Sequence, residues 1–286
     1  MMDPSIALAK RNILCYFRDR ESVFFSLMGV LIVVLLYLIF LRNMLIDSWP
    51  DIPGMSNLID SWVMAGILGI VPVTTCAGAL QTMIEDRADG RDRDVLVTPM
   101  GPWRISMGYV LSTFGVGLVM SAITLAICLV YLFATGCPLS LTGILTTVLL
   151  LMPSSLSASI IMYALTSFLR STGAFSGFFT VVSVLIGFLA GIYMPAGTMP
   201  AAMQTISTFV PASQMAALFR DSLAQDALDE AFAGVPASEI GSFRCDMGFD
   251  LYVGDIMLSE PMMLVYVFGI TVLFFALAAY RIKRRV

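Results

Sequence analysis

The strongest constraint on this chain is a set of six uninterrupted apolar runs, at about 23–41, 62–84, 105–135, 144–169, 173–194 and 261–280, none of which contains Asp, Glu, Lys or Arg. A helix needs about 20 residues to cross roughly 30 Å of hydrocarbon, so each run suffices as a membrane span. A charge at the centre of a span costs about 2.5–3.5 kcal/mol, which is why lipid-facing helices exclude it. With 58% hydrophobic and 13% charged residues among 286, the chain carries more apolar surface than a soluble core encloses. The expected fold is an all-α polytopic membrane protein with six transmembrane helices in one domain covering 1–286.

The first run begins near Val23 and is too long for the core of a cleavable signal, so it is expected to stay as span one. Lys and Arg collect in cytoplasmic connections and thereby set orientation. With the N-terminus inside, 13 of the 16 bases fall inside and only Arg42, Arg220 and Arg244 outside, while the acids divide 8 inside and 12 outside. Both termini are therefore expected in the cytoplasm, in an integral, multi-pass protein of the plasma membrane.

The sequence before span one is expected to form an amphipathic helix on the inner leaflet, started by Asp3 as N-cap and Pro4 as first helical residue. Ile6, Ile13, Leu14 and Phe17 supply its apolar face, and Lys10, Arg11, Arg18 and Arg20 its cationic heads. The stretch 199–219 is long enough for a seventh span, but Pro211 interrupts it and a crossing would send the basic C-terminal tail outside. Two short re-entrant helices hinged near Pro211 are expected instead, within an acidic outer segment at 195–260. In that segment 212–233 reads as helical and the remainder as loop.

The connection between spans two and three carries the densest soluble signal. Glu85-Asp86-Arg87-Ala88-Asp89-Gly90-Arg91-Asp92-Arg93-Asp94 holds eight charges in ten residues and runs into Val95-Leu96-Val97-Thr98-Pro99. A short docking helix whose charges set register with a partner accounts for this pattern, and so does a merely solvated loop. Span five holds Gly173 and Gly177, then Gly187 and Gly191, each pair four apart, which suits either a dimer or gate interface or packing within the chain. Pro153 with Ser154, Ser155, Ser157 and Ser159, and Pro72 with Thr74 and Thr75, read as kinks whose hydroxyls help satisfy freed carbonyls, or as polar patches along a substrate path.

Several classes of function are disfavoured. The chain has no His, the commonest general base and transition-metal ligand, and its five Cys show no metal-ligand spacing. Whether Cys137 and Cys245 pair outside is left open by the sequence. There is no GxxxxGK[ST] phosphate loop, so any ATP hydrolysis belongs to another polypeptide. A secondary transporter would place ionisable groups within the spans, and a membrane-embedded protease needs a Ser–His pair or intramembrane acids. Both remain as alternatives that work without a motor subunit.

Glu85, Asp86, Arg87, Asp89, Gly90, Asp94, Leu96 and Pro99 together resemble the cluster before span three in the membrane subunits of ABC-2 type (type-2 ATP-binding-cassette) permeases, although the family's usual Glu-Arg-Glu is here Glu-Asp-Arg-Ala-Asp. Gly191-Ile192-Tyr193-Met194-Pro195, with Met199-Pro200, Phe209-Val210-Pro211 and Gln214, is similar to that family's fifth-span end and outer re-entrant helices. The resemblance covers nearly the whole chain. It implies an exporter permease moving an amphipathic or apolar substrate (drug, lipid-linked glycan or peptide), coupled through residues 85–104 to a separate ABC-type ATPase subunit. It further implies a second permease subunit, as homo- or heterodimer, in the lipid bilayer, with no cofactor, metal or nucleic acid. Replacing Glu85, Asp86 and Asp89 is then expected to uncouple transport while leaving the fold intact.

Overall fold

The computed structural model describes residues 3–48, 52–91 and 101–283. Among them are six helices long and apolar enough to cross a membrane, and the chain is an integral multi-pass membrane protein. Asp94, Leu96 and Pro99 lie outside the described residues.

Helix α1 (Pro4–Arg18) starts as its sequence predicts, with the Asp3 carboxylate accepting from the Ser5 amide at 2.8 Å. Part of its surface also packs against the bundle. Ser5, Leu8, Ala9, Asn12 and Tyr16 are buried, whereas Ile6 and Leu14 are exposed. The cause is the partner: α1 packs along α6 (Pro102–Ala134), where Gly108 and Gly115 leave a groove two turns long. A methyl group at Gly108 would lie 2.8 Å from Leu8 Cδ2, and one at Gly115 3.0 Å from Ile13 Cδ1. Leu8 and Ile13 fill that groove and Phe17 packs beside Val116 and Met120, while Ile6 and Leu14 stay on the uncovered side of the helix.

Helix α2 (Arg20–Leu36) continues through one π-helical turn, Tyr37–Leu41, into α3 (Arg42–Asp47). Helix α4 (Met55–Ala79) is the central element; Leu58, Ile59, Trp62, Ile67 and Leu68 are wholly enclosed. It begins seven residues before the expected second span and therefore brings Asp60 into the bundle. Helix α5 (Gln81–Ala88) carries on from it after a tight turn at Leu80.

Helix α6 is followed by α7 (Leu141–Thr166) and α8 (Thr172–Leu189). Pro72 and Pro153 lie inside α4 and α7, which run continuously through them. Thr75 Oγ1 donates to Val71 O at 2.7 Å, and Ser157 Oγ to Ser154 O at 2.9 Å. These hydroxyls satisfy themselves on nearby turns of their own helices. Close approach of α4, α6 and α7 rests on small residues: a methyl at Gly117 would fall 2.5 Å from Cys76 Sγ.

Helix α8 ends earlier than expected, at Leu189, because Gly191 turns the chain with φ +67°. Then come a 3-10 turn (Ala196–Thr198), α9 (Ala201–Phe209), α10 (Pro211–Leu223), α11 (Gln225–Ala231) and α12 (Ala237–Asp246). A two-residue hairpin follows, β1 (Tyr252–Val253) paired with β2 (Ile256–Met257), and then α13 (Glu260–Lys283). The stretch 199–219 breaks at Val210, whose ψ of 120° is extended. At 1.5 Å per residue the 13 residues of α10 span about 20 Å, too short to cross alone. The expected loop after residue 233 instead contains α12 and the hairpin, pinned because Phe243 and Phe249 enter the core beside Phe232.

Candidate functional site

Three constellations stand out from the packing, one at each end of α4 and one along its side. At the α1 end, α5 raises the acidic cluster. Asp86 is almost fully enclosed, its two oxygens gripped by Arg11 of α1 at 2.7 and 3.1 Å, while Arg91 approaches at 3.7 Å. These bonds raise the pKa of Arg11 above its usual value. Arg87 donates to Leu169 O at 3.3 Å, tying α5 to the end of α7. Glu85 is half-buried and accepts from Gln81 Nε2 at 2.8 Å. Asp89 is exposed and paired with Arg91, and Gly90 reverses the chain with φ +75°.

The cluster thus divides by the period of the helix: Asp86 and Arg87 brace the bundle, while Glu85 and Asp89, four apart, share the outward face. The burial of Asp86 runs against the expectation that all three acids can be replaced with the fold intact. Asp86 belongs to an internal clamp, because the α1–α6 packing brings a guanidinium directly over it.

Along the side of α4 runs a cleft of about 620 Å³, walled by α2 (Gly29, Val30, Val33), α4 (Ile67, Val71, Thr74) and α8 (Phe179, Ser183). Helices α2 and α8 each rest on α4 rather than on each other, which leaves the cleft between them. Its α1 end is lined by Tyr16, Asp19, Glu21 and Gln81, and its far end by Tyr193. The volume falls within the roughly 300–1,000 Å³ typical of pockets for drug-sized molecules.

At the far end, Asp60 is wholly buried and held by Arg42 Nε at 2.8 Å and Nη2 at 3.2 Å, with the Tyr37 hydroxyl donating to it as well. Nearby, the fully buried Arg220 of α10 has no acidic partner among its described contacts. It donates to the carbonyls of Ala190 (2.8 Å), Gly191 (2.9 Å) and Gly248 (3.2 Å) and lies 4.6 Å over the Trp62 ring. Burial pushes its pKa down to about 9, so it remains a cation at neutral pH. Arg244 is shared between Asp221 (2.7 Å) and Asp250 (2.8 Å). Each of the three bases that the charge count leaves outside is therefore committed to structure.

The other sequence-selected residues separate. Gly173 and Gly177 have open space where a side chain would be, on an exposed stretch of α8. Gly187 packs on the ring of Tyr193, and the Gly191 carbonyl binds Arg220, so the second pair serves packing within the chain. Pro195 precedes the 3-10 turn, Pro200 starts α9 and Pro211 opens α10, while Gln214 donates to Thr208 O at 2.8 Å across the break. All five cysteines are free: Cys137 is enclosed beside Asn57 O at 3.6 Å, and Cys245 is exposed on α12. Arg220, Asp60 and the cleft were not singled out in the sequence. The one available signal was an isolated Arg after the apolar stretch 215–219.

Residues 5–223 match the family described as ABC-2 type transporter, a stretch that runs from α1 to the end of α10 and covers more than half of the chain. No curated protein sequence matches the chain.

Proposed function

The chain belongs to the ABC-2 type transporter family, and from that premise we propose that it is the permease subunit of an exporter driven by a separate ABC-type ATPase subunit. The observation that carries the reading is the continuity of α4 with α5. One end of this unit bears the outward acids Glu85 and Asp89, and its side forms the wall of the cleft. Gln81 joins the two, since it lines the cleft mouth and also donates to Glu85. Force applied by a motor at the acidic turn passes through the Arg11–Asp86 clamp to α1 and along α4, altering access to the cleft.

In this reading both termini and the acidic turn face the cytoplasm, and 195–260 stays on the outer side, with α9 and α10 dipping into the outer leaflet. A second permease subunit packs on the α8 face that carries Gly173 and Gly177, where the absence of side chains allows close approach. The substrate is amphipathic or partly apolar. An ion-coupled carrier without a motor is less well supported, because the buried acid Asp60 is already neutralised by Arg42.

The test is co-purification of the chain with an ATPase subunit encoded beside it, followed by ATPase assays with a panel of amphipathic compounds in proteoliposomes. A stable complex whose hydrolysis responds to substrate is expected. A chain that moves substrate with no nucleotide-hydrolysing partner overturns the reading.

A further inference from the structure

We propose that the cleft between α2, α4 and α8 is a binding site for amphipathic cations, with the apolar body between the helices and the positive charge at the Asp19–Glu21 mouth. The inference rests on the permease reading and narrows its substrate class. Among the described residues that line the cleft there are two acids and no Lys or Arg. Both acids lie at one end, on the exposed junction of α1 and α2, so they remain hydrated and pay little of the desolvation cost that a buried charge would. Arg18 and Arg20 neighbour them in sequence but do not contribute to the lining.

Deeper in, Gly29, Val30, Val33, Ile67 and Val71 offer apolar surface, and Ser26, Thr74 and Ser183 add hydroxyls but no counter-charge. Tyr16, at the mouth beside the acids, adds an aromatic surface of the kind that attracts cations. On the α8 wall the Ser183 hydroxyl is buried and has no hydrogen-bond partner among the described residues, so a polar atom on the ligand body would find one there. An anion of the same shape would meet two carboxylates and, among the described lining residues, no Lys or Arg.

The experiment uses the purified full chain in lipid nanodiscs, with empty nanodiscs subtracted. Tetraphenylphosphonium and tetraphenylborate are titrated in separate samples, since they match in size and shape and differ in the sign of charge. Saturable binding of the phosphonium alone is expected. Loss of one exposed acid at about 4 Å in water should weaken it about five-fold, so Glu21→Gln and Asp19→Asn each should do so.

Gly29→Leu should abolish saturable binding, and it should fold, because nothing lies within 4 Å of the position its Cβ takes. The acid variants sit on exposed positions and provide the test independently of that fold. Equal binding of both ions, or phosphonium binding unchanged in the acid variants or in Gly29→Leu, overturns the proposal. Because no ATPase is present, a failed motor partnership would leave this result standing, and a failed binding result would leave the partnership standing.

Discussion

The guanidinium of Arg220 lies 4.6 Å over the ring of Trp62, and the Trp62 indole donates at 2.6 Å to the carbonyl of Met247, next to the Gly248 carbonyl that Arg220 itself binds. Two side chains thereby fasten α4, α10, the end of α8 and the end of α12 at one point. No acid is needed at this cation, because the carbonyl-rich C-terminal ends of α8 and α12 present partial negative charge to it. Space for the guanidinium comes from Gly66 and Gly248, whose added methyl groups would each lie 3.1 Å from it.

Arg220→Met should lower stability by about 2–4 kcal/mol, since three buried carbonyls lose their charged donor together. Arg220→Lys should recover little, as an ammonium cannot fork between carbonyls on separate elements. Thermal unfolding of the purified variants measures both. A lysine variant as stable as the parent would mean that charge alone, without the fork, is what the site requires.

Asp86→Asn should destabilise the protein by about 1–3 kcal/mol, less than a fully enclosed pair would lose, because Arg11 keeps contact with water. Arg11→Met should cost a similar amount. The two together should cost less than their sum, and a double-mutant cycle read by thermal shift measures the coupling. Strict additivity would mean the clamp carries no interaction energy.

Glu85→Ala with Asp89→Ala should behave differently from Asp86→Asn. Both side chains reach the surface, where substitutions usually change stability by no more than about 0.5 kcal/mol. The double variant should keep its unfolding temperature while losing ATPase capture and transport. Normal capture and a parental export rate in proteoliposomes would remove this turn from the coupling pathway.

Gly69→Ala should cost about 1–3 kcal/mol, as its Cβ would sit 2.5 Å from Ala216 Cβ and 2.8 Å from Ala216 Cα and force α4 and α10 apart. Gly173→Leu and Gly177→Leu should leave the fold intact and instead weaken self-association, measured by crosslinking or mass photometry in nanodiscs. Unaltered association in both would separate this face of α8 from the dimer.

The contrast among glycines explains which parts of the structure were legible in the sequence. Six spans were readable because crossing a bilayer demands length and absence of charge, and both are local properties. The Gly173/Gly177 and Gly187/Gly191 pairs share one spacing yet meet opposite surroundings, since what lies opposite a helix is decided by elements far away in the chain. Asp60 escaped notice because its counter-charge, Arg42, is 18 residues earlier and comes near only when α3 packs on α4. On α1 the apolar residues were readable, whereas the division between Ile13 and Phe17, which pack on α6, and Ile6 and Leu14, which stay uncovered, depended on the groove at Gly108 and Gly115. At the acidic turn the residue types were readable, whereas the split between the inward Asp86 and the outward Glu85 and Asp89 required the helix and its neighbour.

The π-helical turn at Tyr37–Leu41 sets a rule for how this segment can vary in length. The Arg42 amide bonds to the Tyr37 carbonyl, five residues back, and that wider loop lets both side chains address Asp60. Removing one residue from 38–41 would turn the five-residue step from Tyr37 to Arg42 into an ordinary four-residue α-helical step, which leaves the two side chains on nearly the same face. Arg42 would then stay on the face that addresses Asp60. A one-residue deletion within the turn is therefore tolerated, whereas a second would rotate the arginine by about 100° away from the tyrosine, so the turn works as a phase adjuster between the two halves of the first span.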